Sequence, residues 1–233
     1  MKFDIHTDSD EAARKAAVFI ASEARAAAAA RGVFTLAVSG GTTPWKMLGA
    51  LLDEKVPWAQ IELFQVDERI APAGDPDRNL THLEECLLSK APLDPQRVHA
   101  MPVEQDDSED ASRKYAETLI RVAGEPAVLD LVHLGLGPDG HTASLVPGDP
   151  VLDVTDRNVS LSGPYQDRMR MTLTYPVLDR ARRVLWLATG QSKTEMLQRL
   201  EDGDRSIPAG RVCQDRAVVF SDRAATASLR RHE

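Results

Sequence analysis

The sequence predicts an α/β fold: one three-layer α/β/α domain with a mostly parallel, Rossmann-like sheet. Two observations predict it. Short apolar runs rich in β-formers alternate with helical patterns along the chain. The run Val33–Val38 is nearly unbroken by polar residues, as in a strand covered on both faces. The length of 233 residues fits a single domain spanning 1–233, with a small subdomain from the middle segments as a variant. No internal repeat or low-complexity linker divides it.

The elements follow in order. Glu11 to Arg31 is Ala-rich without Gly or Pro and predicts a helix, with Ser9 or Asp10 as cap and Gly32 as its end. Val33 to Val38 is a strand. Ser39-Gly40-Gly41-Thr42-Thr43 is a turn, with Thr43 capping a helix that has Pro44 at its first position. Trp45, Leu48 and Leu52 form that helix's apolar stripe. Ile61 to Val66 is a strand ending at Asp67-Glu68-Arg69, and a polar loop over Ala71–Asn79 leads to a helix near Leu80–Ser89. Arg97–Met101 reads as a short strand, Glu104–Ala123 as polar and then helical, and Leu129–Leu134 as a strand. Arg170–Thr174 alternates apolar and polar, predicting a strand exposed on one face. Val184–Ala188 is a buried strand, a helix lies near Ser192–Leu200, and Ala217–Phe220 is the last strand.

Composition narrows the function. Lys plus Arg total 28 against 36 Asp plus Glu, a net charge of −8. That balance argues against nucleic acid or an anionic membrane as partner. An anionic small molecule stays open, because local cations override global charge. The two cysteines, Cys86 and Cys213, lack CxxC spacing, which excludes a disulfide scaffold and a zinc ribbon. No signal-peptide core and no apolar run near the ~18 residues of a membrane span is seen, so the expected location is cytoplasmic.

Four unusual segments fall at predicted strand ends: Ser39–Thr43, Asp67–Arg69, Gly135–His141 and Gly190–Lys193. Ligands of open α/β sheets bind there. The Gly40-Gly41 turn before a helix suits a phosphate, or is a plain tight turn; it is not a Walker A loop. Arg69 and Lys193 either grip an anion or are solvated surface charges. Gly135-Leu136-Gly137-Pro138-Asp139-Gly140 matches GxGxxG, but lies past mid-chain with a turn-like Pro-Asp, so it reads as a loop presenting His141. His141 is the candidate general base. His6, His82, His99, His133 and His232 read as structural or merely exposed. No HxxxH, HExxH or Cys cluster supports a metal, and the absence of GxSxG leaves activated water rather than a covalent serine for any hydrolysis.

These residues resemble a known family. SGGTTP at Ser39–Pro44, DER at Asp67–Arg69, DPDRN at Asp75–Asn79 and GLGPDGHTASLVPG at Gly135–Gly148 look like the 6-phosphogluconolactonases, as do RMTLTYP at Arg170–Pro176 and TGQSK at Thr189–Lys193. Val146, Arg78 and Asp149 depart from the family's usual Phe, Ser and His or Ser. The resemblance implies a fold shared with glucosamine-6-phosphate deaminases and ribose-5-phosphate isomerases. It implies hydrolysis of a phosphorylated sugar lactone by a monomer with no metal or organic cofactor. His141 would activate water, and Asp67 would orient His141 or bind a sugar hydroxyl. Ser39, Gly40, Gly41, Thr42, Arg69, Asn79, Arg170 and Lys193 would bind substrate. Two rivals stand beside it. An amino-sugar-phosphate deaminase would carry Tyr at Arg69 and GHIAFNEP in the His loop, where this chain has Thr142-Ala143-Ser144-Leu145. A non-catalytic sugar-phosphate sensor would need a partner domain, and no helix-turn-helix or basic segment is evident.

Overall fold

The computed structural model describes residues 1–227 and 229. The chain opens with β1 (Lys2–His6) and α1 (Ser9–Arg31). Asp8 caps α1, accepting from the Asp10 and Glu11 N–H groups, while Glu11 reaches back to the Thr7 N–H. The cap thus precedes the expected Ser9 or Asp10. Asp8 is still extended and can turn its carboxylate over the first turn, whereas Ser9 and Asp10 are already helical. Gly32, at φ 75°, ends the helix as expected.

The remaining elements are β2 (Phe34–Val38), α2 (Thr42–Ala50), β3 (Ile61–Gln65), β4 (Asp67–Arg69) and α3 (Asn79–Leu83). They are followed by β5 (Val98–His99), α4 (Ser108–Ala123), β6 (Leu131–Leu134), β7 (Val159–Tyr165) and β8 (Arg168–Leu173). The last are α5 (Tyr175–Arg180), β9 (Val184–Ala188), α6 (Thr194–Glu201), α7 (Pro208–Arg211) and β10 (Ala217–Asp222). Seven strands form one sheet in the order β1-β10-β9-β6-β2-β3-β5, and every neighbouring pair is parallel. On one face the small side chains of Ala12, Ala16 and Ala17 let α1 settle onto the sheet beside α2 and α3, over Phe34, Leu36 and Leu185. On the other, α4, α5 and α6 bury Leu119, Leu178 and Leu197 against Val132, Leu134 and Trp186. This is the three-layer α/β/α architecture.

The strand order positions the site. The chain steps from β2 through β3 to β5, then returns to the other side of β2 with β6 and runs on to β9 and β10. The reversal leaves a crevice at the carboxyl ends of β2 and β6.

A second, antiparallel sheet has the order β4-β8-β7. Asp67–Arg69 therefore does not simply end the preceding strand. Val66 donates to Val38 and accepts from Leu173, so the chain changes sheets at that residue. The stretch Arg170–Thr174 is buried throughout rather than exposed on one face. Its apolar residues Met171 and Leu173 enter the core, and Thr172 is covered by the Ser144 N–H, which donates to its Oγ1.

Three boundaries also move. The helix at Thr42 begins before the expected Thr43 cap, with Gly41 at the cap position and Pro44 inside the first turn, where its missing N–H costs nothing. The helix expected near Leu80–Ser89 is α3 followed by a wider π-type turn over Glu84–Leu88. The strand expected over Arg97–Met101 is two residues long. Among the described residues no helix is long and apolar enough to cross a membrane.

Candidate active site

The carboxyl ends of β2 and β6 open into a cleft of about 210 Å³, joined by residues from β4, α3, β8 and the turn after β9. It is lined by Ser39, Gly40 and Gly41, by Asp67, Arg69 and Asn79, and by His141, Arg170 and Lys193. Thr42 is exposed at the start of α2 and lies outside the lining. Gly135 to Pro138 and Ala143 also line the cleft, where the sequence predicts only a loop presenting His141.

Ser39 is buried and committed to β6. Its N–H donates to His133 Nδ1 at 3.2 Å and its hydroxyl donates to the His133 carbonyl at 3.0 Å. Burial pushes the His133 imidazole down to about 3, so it stays neutral, with its proton on Nε2. Gly40 has no substitute here: a Cβ would overlap the Asn79 carboxamide.

The side chain that organises β4 and α3 is Glu68, for which the sequence alone predicts no role. It is fully buried and points away from the cleft. Oε1 accepts from the Arg69 and Asn79 N–H groups, and Oε2 accepts from Leu80 N–H and the Gln65 amide. A carboxylate thus serves the free donors at the start of α3. The alternation of β4 was the available signal, since Glu68 must face opposite to Asp67 and Arg69. Asn79 is fixed in turn: Nδ2 donates to the Asp67 carbonyl at 3.0 Å, and Oδ1 accepts from Arg69 at 2.9 Å. Arg78 lies outside the lining and is buried beside Glu68 and Glu104.

Three cations converge on the cleft. Arg69 also donates to the Asp77 carbonyl at 2.6 Å, and Arg170 donates to the Tyr165 carbonyl and the Gln166 amide oxygen. The Nε atoms of both arginines are buried without a hydrogen-bond partner. Burial lowers the Arg170 pKa from its ordinary value; Asp67 works against this and Arg69 adds to it. The Lys193 ammonium makes no hydrogen bond or ion pair among the described residues. Burial lowers its pKa, with Asp139 acting the other way.

His141 is the titratable centre. Its Nδ1 lies 2.5 Å from Asp139 Oδ1, which also accepts the His141 N–H at 3.1 Å. Burial disfavours the Asp139 charge, but these contacts with His141 outweigh it and hold the carboxyl below the usual range. An ionised carboxylate only accepts, so Nδ1 carries a proton toward Asp139, and in the neutral imidazole the free lone pair is on Nε2. The ring packs against the backbone of Gly137, where a Cβ would overlap it.

The orienting partner of His141 is therefore Asp139 rather than Asp67. Asp67 Oδ2 instead accepts from the Ser144 hydroxyl at 2.6 Å. Ala143, at φ 51°, takes the left-handed turn that brings Ser144 to both Asp67 and Thr172. His6 pairs with Asp4 and His99 with Glu62, and none of His6, His82, His99 or His133 lines the cleft. His232 lies outside the described residues. Among those residues no three His, Cys, Asp or Glu side chains gather as a metal site.

Fold and cleft together define a doubly wound α/β protein with a cationic pocket and a carboxylate-oriented histidine at its sheet's carboxyl edge. The family model described as glucosamine-6-phosphate isomerases/6-phosphogluconolactonase matches residues 7–220, and the chain belongs to that family. The 6-phosphogluconolactonase of Streptomyces coelicolor is 34% identical, over 97% of this chain and 94% of its own. The solved 6-phosphogluconolactonase of Trypanosoma brucei superposes with a TM-score of 0.86 at 26% identity, covering 98% of both chains. A monomeric glucosamine-6-phosphate deaminase superposes with a TM-score of 0.84 at 22% identity, over 99% of this chain and 100% of that one, a likeness of fold.

Proposed function

We propose that the chain is a 6-phosphogluconolactonase, hydrolysing 6-phospho-D-glucono-1,5-lactone to 6-phospho-D-gluconate in the cytoplasmic oxidative pentose phosphate pathway. The observation that carries this reading is one cleft lined both by His141, whose Nδ1 is held by Asp139, and by the cations Arg69, Arg170 and Lys193. The substrate has the matching polarity, with a phosphate at one end and an electrophilic carbonyl at the other.

The Gly40-Gly41 turn and the three cations hold the phosphate, and fixing it sets the lactone carbonyl beside His141. His141 Nε2 removes a proton from water as the water oxygen bonds to C1. The tetrahedral oxyanion then collapses, the bond from C1 to the ring oxygen breaks, and the imidazolium returns the proton to that oxygen. The ring opens to an acid and a hydroxyl. Asp139 steadies the imidazolium formed midway. General-base help of this kind typically supplies ~10²–10⁴-fold. Asp67, within the cleft and half committed to Ser144, binds a sugar hydroxyl in this scheme.

The test generates the lactone in place with glucose-6-phosphate dehydrogenase and follows its loss, with spontaneous hydrolysis subtracted. Wild type accelerates the loss, and His141→Ala abolishes most of that rate while still binding phosphate. No acceleration by wild type, with ammonia released from glucosamine 6-phosphate, would replace this reading with the deaminase one.

A further inference from the structure

Tyr165 sits at the tip of the β7–β8 hairpin, outside the cleft lining and behind the His141–Asp139 pair. Its hydroxyl donates to Asp139 Oδ2 at 3.2 Å and lies 3.4 Å from His141 Nδ1. Its ring meets the His141 imidazole edge-on, with centroids 5.1 Å apart at 63°. The face of the same ring carries the Arg170 guanidinium, whose Cζ is 5.1 Å from the centroid. Arg170 also bonds to the Tyr165 carbonyl. One side chain therefore touches both halves of the cleft, the histidine pair and the anion grip.

We propose that Tyr165 is a positioning residue that holds His141 and Arg170 in register, so that a substrate gripped by the arginine presents its carbonyl to the base. The inference rests on the lactonase reading. Two separable contacts do the work. The phenol O–H occupies the Asp139 oxygen that the histidine leaves free, so the carboxylate cannot rotate away from Nδ1. Burial and the adjacent Asp139 raise the phenol pKa, which keeps that donor protonated. The ring face seats a guanidinium whose Nε finds no other partner. The hairpin tip fixes the ring from behind, because Gln166 and Asp167 turn the chain at φ 54° and 61° and return it to β8.

The two contacts predict different kinetic losses. Tyr165→Phe keeps the ring and removes the hydroxyl. It lowers kcat by about tenfold, the worth of one hydrogen bond to a charged group, and leaves KM within about twofold. Tyr165→Leu removes both contacts and raises KM by about fivefold as well. In an Asp139→Asn background, Tyr165→Phe costs almost nothing more, because its effect passes through the lost carboxylate. Equal losses from Tyr165→Phe in both backgrounds, or kcat and KM moving together in proportion to a drop in melting temperature, would overturn the proposal.

A readout without turnover keeps the two readings apart. The low-field proton resonance of His141 Nδ1–H is sharp in wild type and broadened by exchange in Tyr165→Phe. An unchanged resonance defeats the positioning role even if wild type proves an active lactonase. An inactive wild type defeats the lactonase reading while the resonance still reports the contact.

Discussion

Arg69 and Arg170 stand directly opposite each other across the antiparallel β4–β8 pair. Like charges in that position repel and destabilise a sheet. Each also buries an Nε with no hydrogen-bond partner. A dianion between them would relieve the repulsion and satisfy the donors, which is what the proposed phosphate grip calls for.

The expected outcome is that inorganic phosphate raises the melting temperature of wild type, and that Arg170→Met loses most of that shift. The variant's KM rises by about tenfold or more, while its unliganded melting point falls little, since it no longer opposes Arg69. Thermal melts with and without phosphate decide it. A wild-type phosphate shift in Arg170→Met would reject the assignment.

Lys193 adds a point charge with no competing ion pair among the described residues. Lys193→Ala is expected to raise KM and to shrink the preference for phosphorylated over free gluconolactone. Steady-state kinetics on both substrates check this; equal losses on the two would place Lys193 away from the phosphate.

Gly137 gives His141 its seat. Gly137→Ala pushes the ring off the position that Asp139 fixes, and kcat is expected to fall by roughly 10²-fold, with KM little changed. Phosphate binding measured by calorimetry should stay intact. Coupled loss of both would mean that the whole loop had collapsed.

His133 makes stability depend on pH. Its folded-state value of about 3 lies below the ordinary 6.5, so the unfolded chain binds the proton better. Its contribution is present above pH 6.5 and is lost as the pH falls toward 3. Between pH 7 and pH 5 that amounts to about 2 kcal/mol. Urea unfolding at the two values should show the difference in wild type and a smaller one in His133→Asn. A difference of equal size in the variant would assign the effect to other groups.

The parts of the site legible in sequence were those whose chemistry is local. The Gly40-Gly41 turn and the Gly135–His141 loop each follow a strand directly, so composition placed them at strand ends. What escaped depends on partners distant in sequence. Lys2–His6 is half-buried and polar in composition, and becomes a strand because Val218 to Asp222 lie beside it. Tyr165 and the β7 hairpin carry no motif, and the contacts of Tyr165 with Asp139 and His141 exist only once the second sheet forms beside the histidine loop. The sequence leaves Asp67 two roles, orienting His141 or binding a sugar hydroxyl, because it cannot show which carboxylate reaches the ring. The two-residue spacing of Asp139 and His141 settles which carboxylate meets the ring, since one turn brings Asp139 onto both the backbone and the ring.

The reversal of strand order between β2 and β6 also has a consequence for synthesis of the chain. A ribosome releases Ser39, Asp67 and His141 well before Arg170 and Lys193. The growing chain therefore holds Gly40, Gly41, Arg69 and His141 early, and Arg170 and Lys193 arrive late, when β8 and the turn after β9 complete the cleft. Under the proposed function, a chain stopped before Lys193 should not hydrolyse the lactone, because part of the anion-binding side of the cleft is still missing.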